Sequence, residues 1–279
     1  MPFDRKTKVA VLVRGGVSPI DRAYQSIRRT PQEVGRVSIE ACFSSIQKNL
    51  VSANPEADFD FIVHSWQVDM AKALDETFAP VTSKYVENST FRKTIFLGVL
   101  KSRINALVKS PRFAVRALRH PFRSLAQDIS GISQAISIRE VCRLFTSFCE
   151  AQNRSYDLVV ILRPDVVILG KVTLGDMMAG AVRCNNYGDR CGDFRWVLPP
   201  TLVPKFTDLF SSIFSLRRVH EPHLWIRDYF DHIGVHYYQD EIRAGQDEEV
   251  LRKTKGNGVS FSKLMPFGLT RKEYDSYPG

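Results

Sequence analysis

An arginine and an aspartate stand two residues apart at the end of one of the most apolar stretches of the chain. Arg163 and Asp165 flank Pro164 and follow the run LVVIL at 158–162. Apolar residues on both faces are typical of a strand buried in the middle of a sheet. Pro164 has no backbone N–H to give to a sheet, so the strand must loosen or end there. Ligands of open α/β sheets bind at the carboxyl ends of the strands, so the pair is a candidate site. The alternative is an ion pair that only finishes a strand.

The first predicted strand, Lys8–Val13, also ends in residues that could bind a ligand. Arg14, Gly15 and Gly16 follow it directly. Glycines let backbone amides approach a phosphate or a base closely, and the Arg14 guanidinium could meet a phosphate. A plain turn would explain the two glycines equally well.

An aromatic residue and a histidine mark the end of the second predicted strand, Phe59–His64. Trp66 could stack on a nucleobase or a sugar, and His64 could hydrogen-bond to the same ligand. The other interpretation is an aromatic side chain that only covers the edge of the sheet.

Polar residues also precede the strand that carries Arg163. Ser133, Gln134 and Ser137 could hydrogen-bond to ligand hydroxyls. Ser137 and Glu140 have the spacing of a capping box at the start of a helix, and capping is a sufficient explanation for Ser137 by itself.

Two aspartates are candidates for a general base. Asp189 and Asp193 lie in the stretch NNYGDRCGDF at 185–194, which is rich in Gly and Asp and is predicted to be a loop. We prefer Asp193, because its neighbours Phe194 and Trp196 supply the apolar surroundings that favour proton transfer to a carboxylate. The alternative is that both aspartates only form turns.

Hydrophobic periodicity predicts alternating strands and helices in the first part of the chain. Helices are predicted over about Val37–Ser52 and Met70–Phe78, and a short third strand at Ser83–Glu87. The order of strand, helix, strand, helix, strand favours an α/β fold with a parallel sheet and helices on its faces.

The later part of the chain gives a less regular pattern. Helices are predicted from Ile138 to Cys149, from Pro199 onward and from about Pro222 to Ile233, and a late strand at Val235–Gln239. From Asp240 the periodicity fades, so residues 240–279 are predicted to form a polar tail, looped or partly disordered.

The net charge of +9 is concentrated in one segment. Between Arg92 and Gln127 there are nine Lys and Arg and no Asp or Glu, so the rest of the chain is neutral. Phe96, Leu100, Ile104, Leu107 and Val108 form a helical stripe, which predicts a basic amphipathic helical insertion over 92–128. It could lie on an anionic membrane surface or be a solvated helical hairpin. Nucleic acid is not expected as a partner, because no fold signature for it is present.

Length and composition favour one soluble domain. The chain has 279 residues, 44% hydrophobic and 25% charged, which fits one large α/β domain or two small ones, and we expect a single domain over 1–279. No apolar run approaches the roughly 20 residues that span a bilayer, and the N-terminal apolar run is too short for a signal peptide. Five scattered cysteines favour reduced thiols in the cytoplasm, without a convincing zinc site.

These motifs together resemble a known class of enzyme. The strand that ends in Val-Arg-Gly, the segment Ile-Val-His-Ser-Trp, the pair Ser133-Gln134 and the segment Tyr-Asp-Leu-Val-Val-Ile-Leu-Arg-Pro-Asp are similar to bacterial glycosyltransferases of the GT-A type. The likeness is to those of lipopolysaccharide and capsular polysaccharide assembly, and it covers about 8–169. It implies a Rossmann-like, mostly parallel sheet with helices on both faces. The implied reaction transfers a sugar from a nucleotide-diphosphate donor to a hydroxyl of a lipid-linked glycan.

The resemblance also assigns roles to the candidate residues. Arg14, Gly15, Gly16, His64, Trp66, Ser133, Gln134, Arg163 and Asp165 would bind the nucleotide sugar, and Asp193 or Asp189 would act as base. Many members carry Asp-x-Asp where this chain has Arg163-Pro164-Asp165. Asp165 would then contact a Mg²⁺ or Mn²⁺ ion, or Arg163 would bind the diphosphate without metal. We expect a cytoplasmic enzyme, peripheral at the inner face of the cell membrane. The missing first Asp supports an alternative, a non-catalytic scaffold of a polysaccharide assembly complex that docks through its basic segment.

Overall fold

The computed structural model describes residues 6–16, 38–109, 121–175, 180–188, 190–213, 216, 222–243, 247–250 and 261–272. The strands in this part of the chain are β1 (Thr7–Gly15), β2 (Ala57–Ser65), β3 (Thr82–Tyr85), β4 (Leu158–Leu162), β5 (Val166–Ile168), β6 (Val182–Tyr187), β7 (Arg190–Leu198), β8 (Tyr237–Arg243) and β9 (Glu248–Val250).

The helices are α1 (Ile39–Ile46), α2 (Ala71–Phe78), α3 (Arg92–Lys109), α4 (Pro121–Gln152), α5 (Val203–Thr207), α6 (Leu209–Ser212), α7 (Pro222–His232) and α8 (Phe261–Leu264). The chain continues from α1 through a π-helical turn at Gln47–Val51, and short 3₁₀ turns at Val68–Met70 and Pro200–Leu202 precede α2 and α5. None of the helices described is both long and apolar enough to cross a membrane.

Seven of the strands form a mixed sheet in the order β3-β2-β1-β4-β7-β6-β8. The pairs of β1 with β2, β1 with β4, β2 with β3 and β6 with β8 are parallel. Among these seven strands β7 alone runs antiparallel to both of its neighbours. The prediction of an α/β fold with a mostly parallel sheet is confirmed.

Helices cover both faces of this sheet because alternate residues of the central strands are apolar on each side. Val9, Val11 and Val13 of β1 pack with α1 and α2, whereas Ala10 and Leu12 pack with α4, α5 and α7. All five β1 side chains are almost completely buried. The first strand is therefore fully enclosed, as its continuous apolar sequence predicts.

The order of the strands places a topological switch point between β1 and β4. The chain moves from β1 outward through β2 and β3, and then returns to the other side of β1 as β4. The first two crossovers contribute α1 and α2 to one face, and the return contributes α4 to the opposite face. At such a point the connections leave in opposite directions and the carboxyl ends of the two strands lie open to a ligand.

Three sequence-based predictions about the elements are wrong. Residues 185–187 and 190–194 do not form a loop, because they belong to β6 and β7 and pair with each other and with the rest of the sheet. Ser137 does not begin a helix, because it lies inside the 32-residue α4. The predicted loop after Asp240 is interrupted by the rest of β8, by β9 paired with β5, and by α8. Leu264 at the end of α8 is buried, and so are Phe267 and Leu269, which follow this helix.

Candidate functional site

The site lies where β1 and β4 end side by side. In the parallel register Val13 is opposite Leu162, so that Arg14 and Arg163 each follow a paired position at the same edge of the sheet. On the other side of β1, Arg14 is opposite His64 and Gly15 is opposite Ser65. Three predicted strand ends are thus brought together at the switch point.

Arg163 and Asp165 bind each other through two parallel hydrogen bonds. The Arg163 Nε donates to Asp165 Oδ1 at 2.8 Å and Nη2 donates to Oδ2 at 2.7 Å. Pro164 between them makes the tight turn that lets the two side chains meet. The Asp165 side chain is 3% exposed, whereas that of Arg163 is 16% exposed. The arginine is therefore the member of the pair that a ligand at the strand end can reach.

Asp193 joins the two arginines. Its Oδ2 lies 3.5 Å from Arg163 Nη1, and its backbone carbonyl oxygen accepts a hydrogen bond of 2.9 Å from Arg14 Nη2. Gln134 Nε2 of α4 donates to the same Oδ2. This carboxylate, one of the two predicted bases, therefore stands at the carboxyl end of β1 and β4 although it comes from the antiparallel β7. Asp189, the other predicted base, lies outside the described residues.

Arg14 is held from three sides. Besides its bond to Asp193, its Nη1 lies 3.4 Å from Ser137 Oγ, and Ser137 in turn donates to the Gln134 carbonyl oxygen at 2.9 Å. The Arg14 Cζ lies 5.9 Å from the centroid of the Trp196 ring. Its Nε is buried and has no hydrogen-bond partner. The guanidinium therefore keeps one donor unused inside the site.

The carboxylates of Asp165 and Asp193 stabilise the positive charge of the two buried guanidinium groups. Burial, together with repulsion from Arg163, lowers the pKa of Arg14 to about 10, and the carboxylates of Asp193 and Asp165 partly offset this. Burial also acts to lower the pKa of Arg163, but Asp165 and Asp193 outweigh it and raise that pKa above its ordinary value. Both arginines are cationic at neutral pH. An anionic ligand would relieve the repulsion between them.

His64 and Trp66 extend the site along β2. His64 is completely buried, and neither of its ring nitrogens has a hydrogen-bond partner. Burial lowers its pKa to about 4, so the imidazole is neutral at pH 7. Its ring meets the Trp66 ring edge to face at 5.2 Å, and Trp66 meets Phe91 in the same way at 5.1 Å. Trp66 thus belongs to an aromatic group that packs on the core between the sheet and helices α4, α5 and α7.

The remaining predicted site residues, Gly15, Gly16 and Ser133, follow Arg14 or precede Gln134 in the chain. Gly15 has a φ of 103°, in the left-handed region that favours glycine, and Gly16 follows it. Ser133 is half-buried on α4 next to Gln134. The hydrogen bonds that connect α4 to the arginines and to Asp193 come from Gln134 and Ser137 instead. Sequence reasoning assigned Ser137 to a helix cap and so missed its contact with Arg14.

A second buried ionic group went unpredicted. Arg195 of β7 donates through Nε to Glu248 of β9 and through Nη2 to Asp240 of β8 at 2.7 Å. Arg183 lies beside it, with its Nε 4.0 Å from Asp240 Oδ2. The signal in the sequence was a charged residue between Phe194 and Trp196, at a position where the strand pattern demands burial. This group links the main sheet to the small sheet of β5 and β9.

The residues around Asp165 do not fit a divalent cation. Both of its oxygens already accept hydrogen bonds from Arg163, and the guanidinium lies where a cation would bind. In the part of the chain that the structure describes, no group of three or more His, Cys, Asp or Glu side chains could hold a metal ion. The donor set, two arginines with hydrogen-bond donors around them, fits an anion.

Comparison with models of known protein families found no match, and comparison with curated proteins found no significant similarity.

Proposed function

We propose that this protein is a glycosyltransferase that moves a sugar from a nucleotide-diphosphate donor to a hydroxyl of a lipid-linked polysaccharide or lipopolysaccharide acceptor. The observation that carries the proposal is the meeting of Arg14, Arg163 and Asp193 at the switch point between β1 and β4. Cations at this edge suit a diphosphate, and a carboxylate beside them suits proton transfer. The motif resemblance supplies the reaction class, with a GT-A-like version of the observed sheet.

In the proposed reaction one residue acts on the acceptor hydroxyl, and the two arginines act on the leaving diphosphate. The acceptor hydroxyl oxygen forms a bond to the anomeric carbon while the bond between that carbon and the diphosphate oxygen breaks. Asp193 takes the proton of the hydroxyl, and the negative charge that develops on the diphosphate is stabilised by Arg163 and Arg14. Asp165 holds the Arg163 guanidinium in one orientation through its two hydrogen bonds. No metal ion is required for any of these steps.

We assign the binding of the rest of the donor to the other site residues. His64 offers a buried donor and acceptor on its neutral ring beside Trp66. Gly15 and Gly16 leave the end of β1 free of side chains, which allows close approach of a phosphate or a base. Gln134 bridges this region to Asp193 through its amide nitrogen, while its Oε1 is buried without a partner.

One observation supports the competing function, a non-catalytic scaffold of a polysaccharide assembly complex. Asp165 is almost fully buried and its oxygens are satisfied by Arg163. Such a pair can stabilise the turn after β4 without any ligand. The two functions differ in whether Arg163 meets a diphosphate.

Calorimetry with the full-length protein separates them. We expect UDP or GDP to bind more tightly than CMP, which has no diphosphate, with an affinity that changes little when Mn²⁺ is replaced by EDTA. Arg163→Ala should weaken binding of the preferred nucleotide about ten- to a hundredfold, because a charge-assisted hydrogen bond contributes about 1.5–3 kcal/mol.

Arg154→Ala is the matched control. Arg154 also pairs with an aspartate, with its Nη1 2.7 Å from Asp60 Oδ2, but it precedes β4 and lies at the opposite edge of the sheet. The Arg154→Ala variant loses the same charge as Arg163→Ala and should leave nucleotide binding unchanged. Absence of binding by all three nucleotides, or equal losses in the two variants, would favour the scaffold. A strict requirement for Mn²⁺ would restore the metal role predicted for Asp165.

A further inference from the structure

Helix α3 exposes an apolar surface that the fold does not use. Among the described residues eight large apolar side chains are exposed, and five of these lie on α3. Their exposed fractions run from 48% to 78%. They are Phe96, Leu97, Leu100, Ile104 and Val108, and we call this set the α3 surface. Isolated exposed apolar residues are normal, but a contiguous set marks an interaction site.

The α3 surface is a continuous strip on one side of the helix. At 100° per residue its five members fall within an arc of roughly 120°. The other side of the helix already has its partners. Val99 is buried in the core that α4, α5 and α7 form with the sheet, and Ile95 packs against that core. The strip is therefore a second apolar face that points outward. Four of the five residues of the predicted stripe lie on it, and the side chain of the fifth, Leu107, lies outside the described residues.

Positive charge surrounds the strip. Lys93 and Lys101 are exposed, and Arg103 is half-buried on the same helix. By helical geometry Lys101 and Arg103 border the strip on opposite sides. The sequence from Arg92 to Gln127 holds nine Lys and Arg and no acidic residue, although the remaining chain has no net charge. An occupant of the α3 surface must thus be apolar at its centre and anionic at its rim.

We propose that the α3 surface rests on an anionic lipid bilayer, with its apolar side chains among the headgroups and acyl chains and its lysines against the lipid phosphates. A bilayer offers the required combination over an unlimited area. Nucleic acid would meet cations at the centre of the face, where this helix places Phe and Leu. A second copy of the chain would bring two strongly basic segments together. The helix lies along the surface, since it is not apolar enough to span it.

This inference does not depend on the proposed transfer of a sugar. Vesicle binding and nucleotide binding are separate measurements that involve separate residues, so either proposal can fail alone. If both hold, the carboxyl edge of the sheet works on an acceptor held in the same bilayer.

The test is co-flotation of the full-length protein with vesicles of phosphatidylcholine, with and without phosphatidylglycerol. We expect binding to the anionic vesicles only, weakened by salt. The triple variant Phe96→Ser/Leu100→Ser/Ile104→Ser should bind at least about tenfold more weakly. Its matched control is Val68→Ser/Val81→Ser/Met265→Ser, which changes exposed apolar residues away from α3 and should bind like the unaltered protein.

Charge is tested in the same way. Lys93→Glu/Lys101→Glu should lose flotation, whereas Lys171→Glu/Lys263→Glu, an equal charge change elsewhere on the surface, should retain most of it. Equal flotation of the triple variant and its control overturns the proposal. It is also overturned if no vesicles bind, or if light scattering shows an oligomer that the triple variant abolishes while vesicle binding is unaffected.

Discussion

At the scale of single residues, the buried His64 makes the stability of the fold depend on pH. Its ring is completely buried, and burial lowers its pKa to about 4. Between pH 6.5 and pH 4 the unfolded chain binds a proton here that the folded protein does not. The free energy of unfolding therefore falls as the pH falls through this window, by up to about 3 kcal/mol from this residue, and the contribution is fully present above pH 6.5.

Urea denaturation at several pH values measures this effect. In His64→Gln the loss of stability between pH 6.5 and pH 4 should be smaller than in the unaltered protein. His232→Gln, which removes an exposed histidine at the end of α7, should leave the profile unchanged. Parallel pH profiles for the unaltered protein and His64→Gln would show that the buried ring does not titrate in this way.

The candidate residues at strand ends were predictable, but their partners were not. Arg14 and Arg163 stand out because each follows an apolar run, and the carboxyl ends of parallel strands share one edge. Arg14 bonds to Ser137 and to Asp193, which are 123 and 179 positions away. Such contacts depend on how α4 and β7 pack against the sheet, and local sequence patterns carry no record of that packing.

At the scale of elements, the hairpin of β6 and β7 requires a glycine. A Cβ built on Gly192 would lie 2.5 Å from the backbone oxygen of Asn185 and 2.2 Å from its Oδ1. Gly192→Ala should therefore destabilise the protein by about 1–3 kcal/mol, because the neighbouring strand must shift. Gly175→Ala is the control, since nothing lies within 4 Å of the added atom and the change should be nearly neutral. Equal urea midpoints for the two variants would contradict this account.

This hairpin also explains why the sequence was misread here. Asn185, Asn186 and Gly192 lie in strands although they favour turns, whereas Gly188 does lie in a turn. Pairing of β7 with β4 and of β6 with β8 overrides that preference, and the bulge between Cys184 and Asn186 absorbs part of the misfit. Ser137 was misread for a related reason: its spacing from Glu140 matches a cap, but the residues before it pack well enough to continue the helix. In both places tertiary packing outweighs local propensity.

At the scale of the whole molecule, one buried ion pair connects the two sheets. Glu248 of β9 is fully buried and accepts a hydrogen bond from Arg195 of β7, which is 1% exposed. Glu248→Ala leaves the guanidinium with less compensation in the interior, so we expect a loss of about 3–5 kcal/mol in the free energy of unfolding. Asp58→Ala, which breaks the exposed pair with Lys6 at 3.1 Å, should cost less than about 1 kcal/mol. Similar urea midpoints for both variants would mean that the buried pair does not stabilise the contact between the sheets.

The sequence did not predict this connection between the two sheets, because the residues after Asp240 are mostly polar. Apolar periodicity is the main signal for buried elements, but β9 is buried through a carboxylate and an arginine, and the later segment contributes only a few core residues such as Leu264 and Phe267. Most of the first half of the sheet follows from the sequence because apolar runs mark β1, β2 and β4, although β3 is polar. The second half does not, because its charged side chains are neutralised by partners distant in the chain.

The central position of β1 has a consequence for biosynthesis. Lys8, at the start of this strand, donates its backbone N–H to Asp157 just before β4, 149 positions later. On the ribosome the first three strands can pair while the other border of β1 still has open backbone donors and acceptors. An unpaired border of this kind is a template for other chains. Protection from aggregation therefore comes only after β4 has been translated.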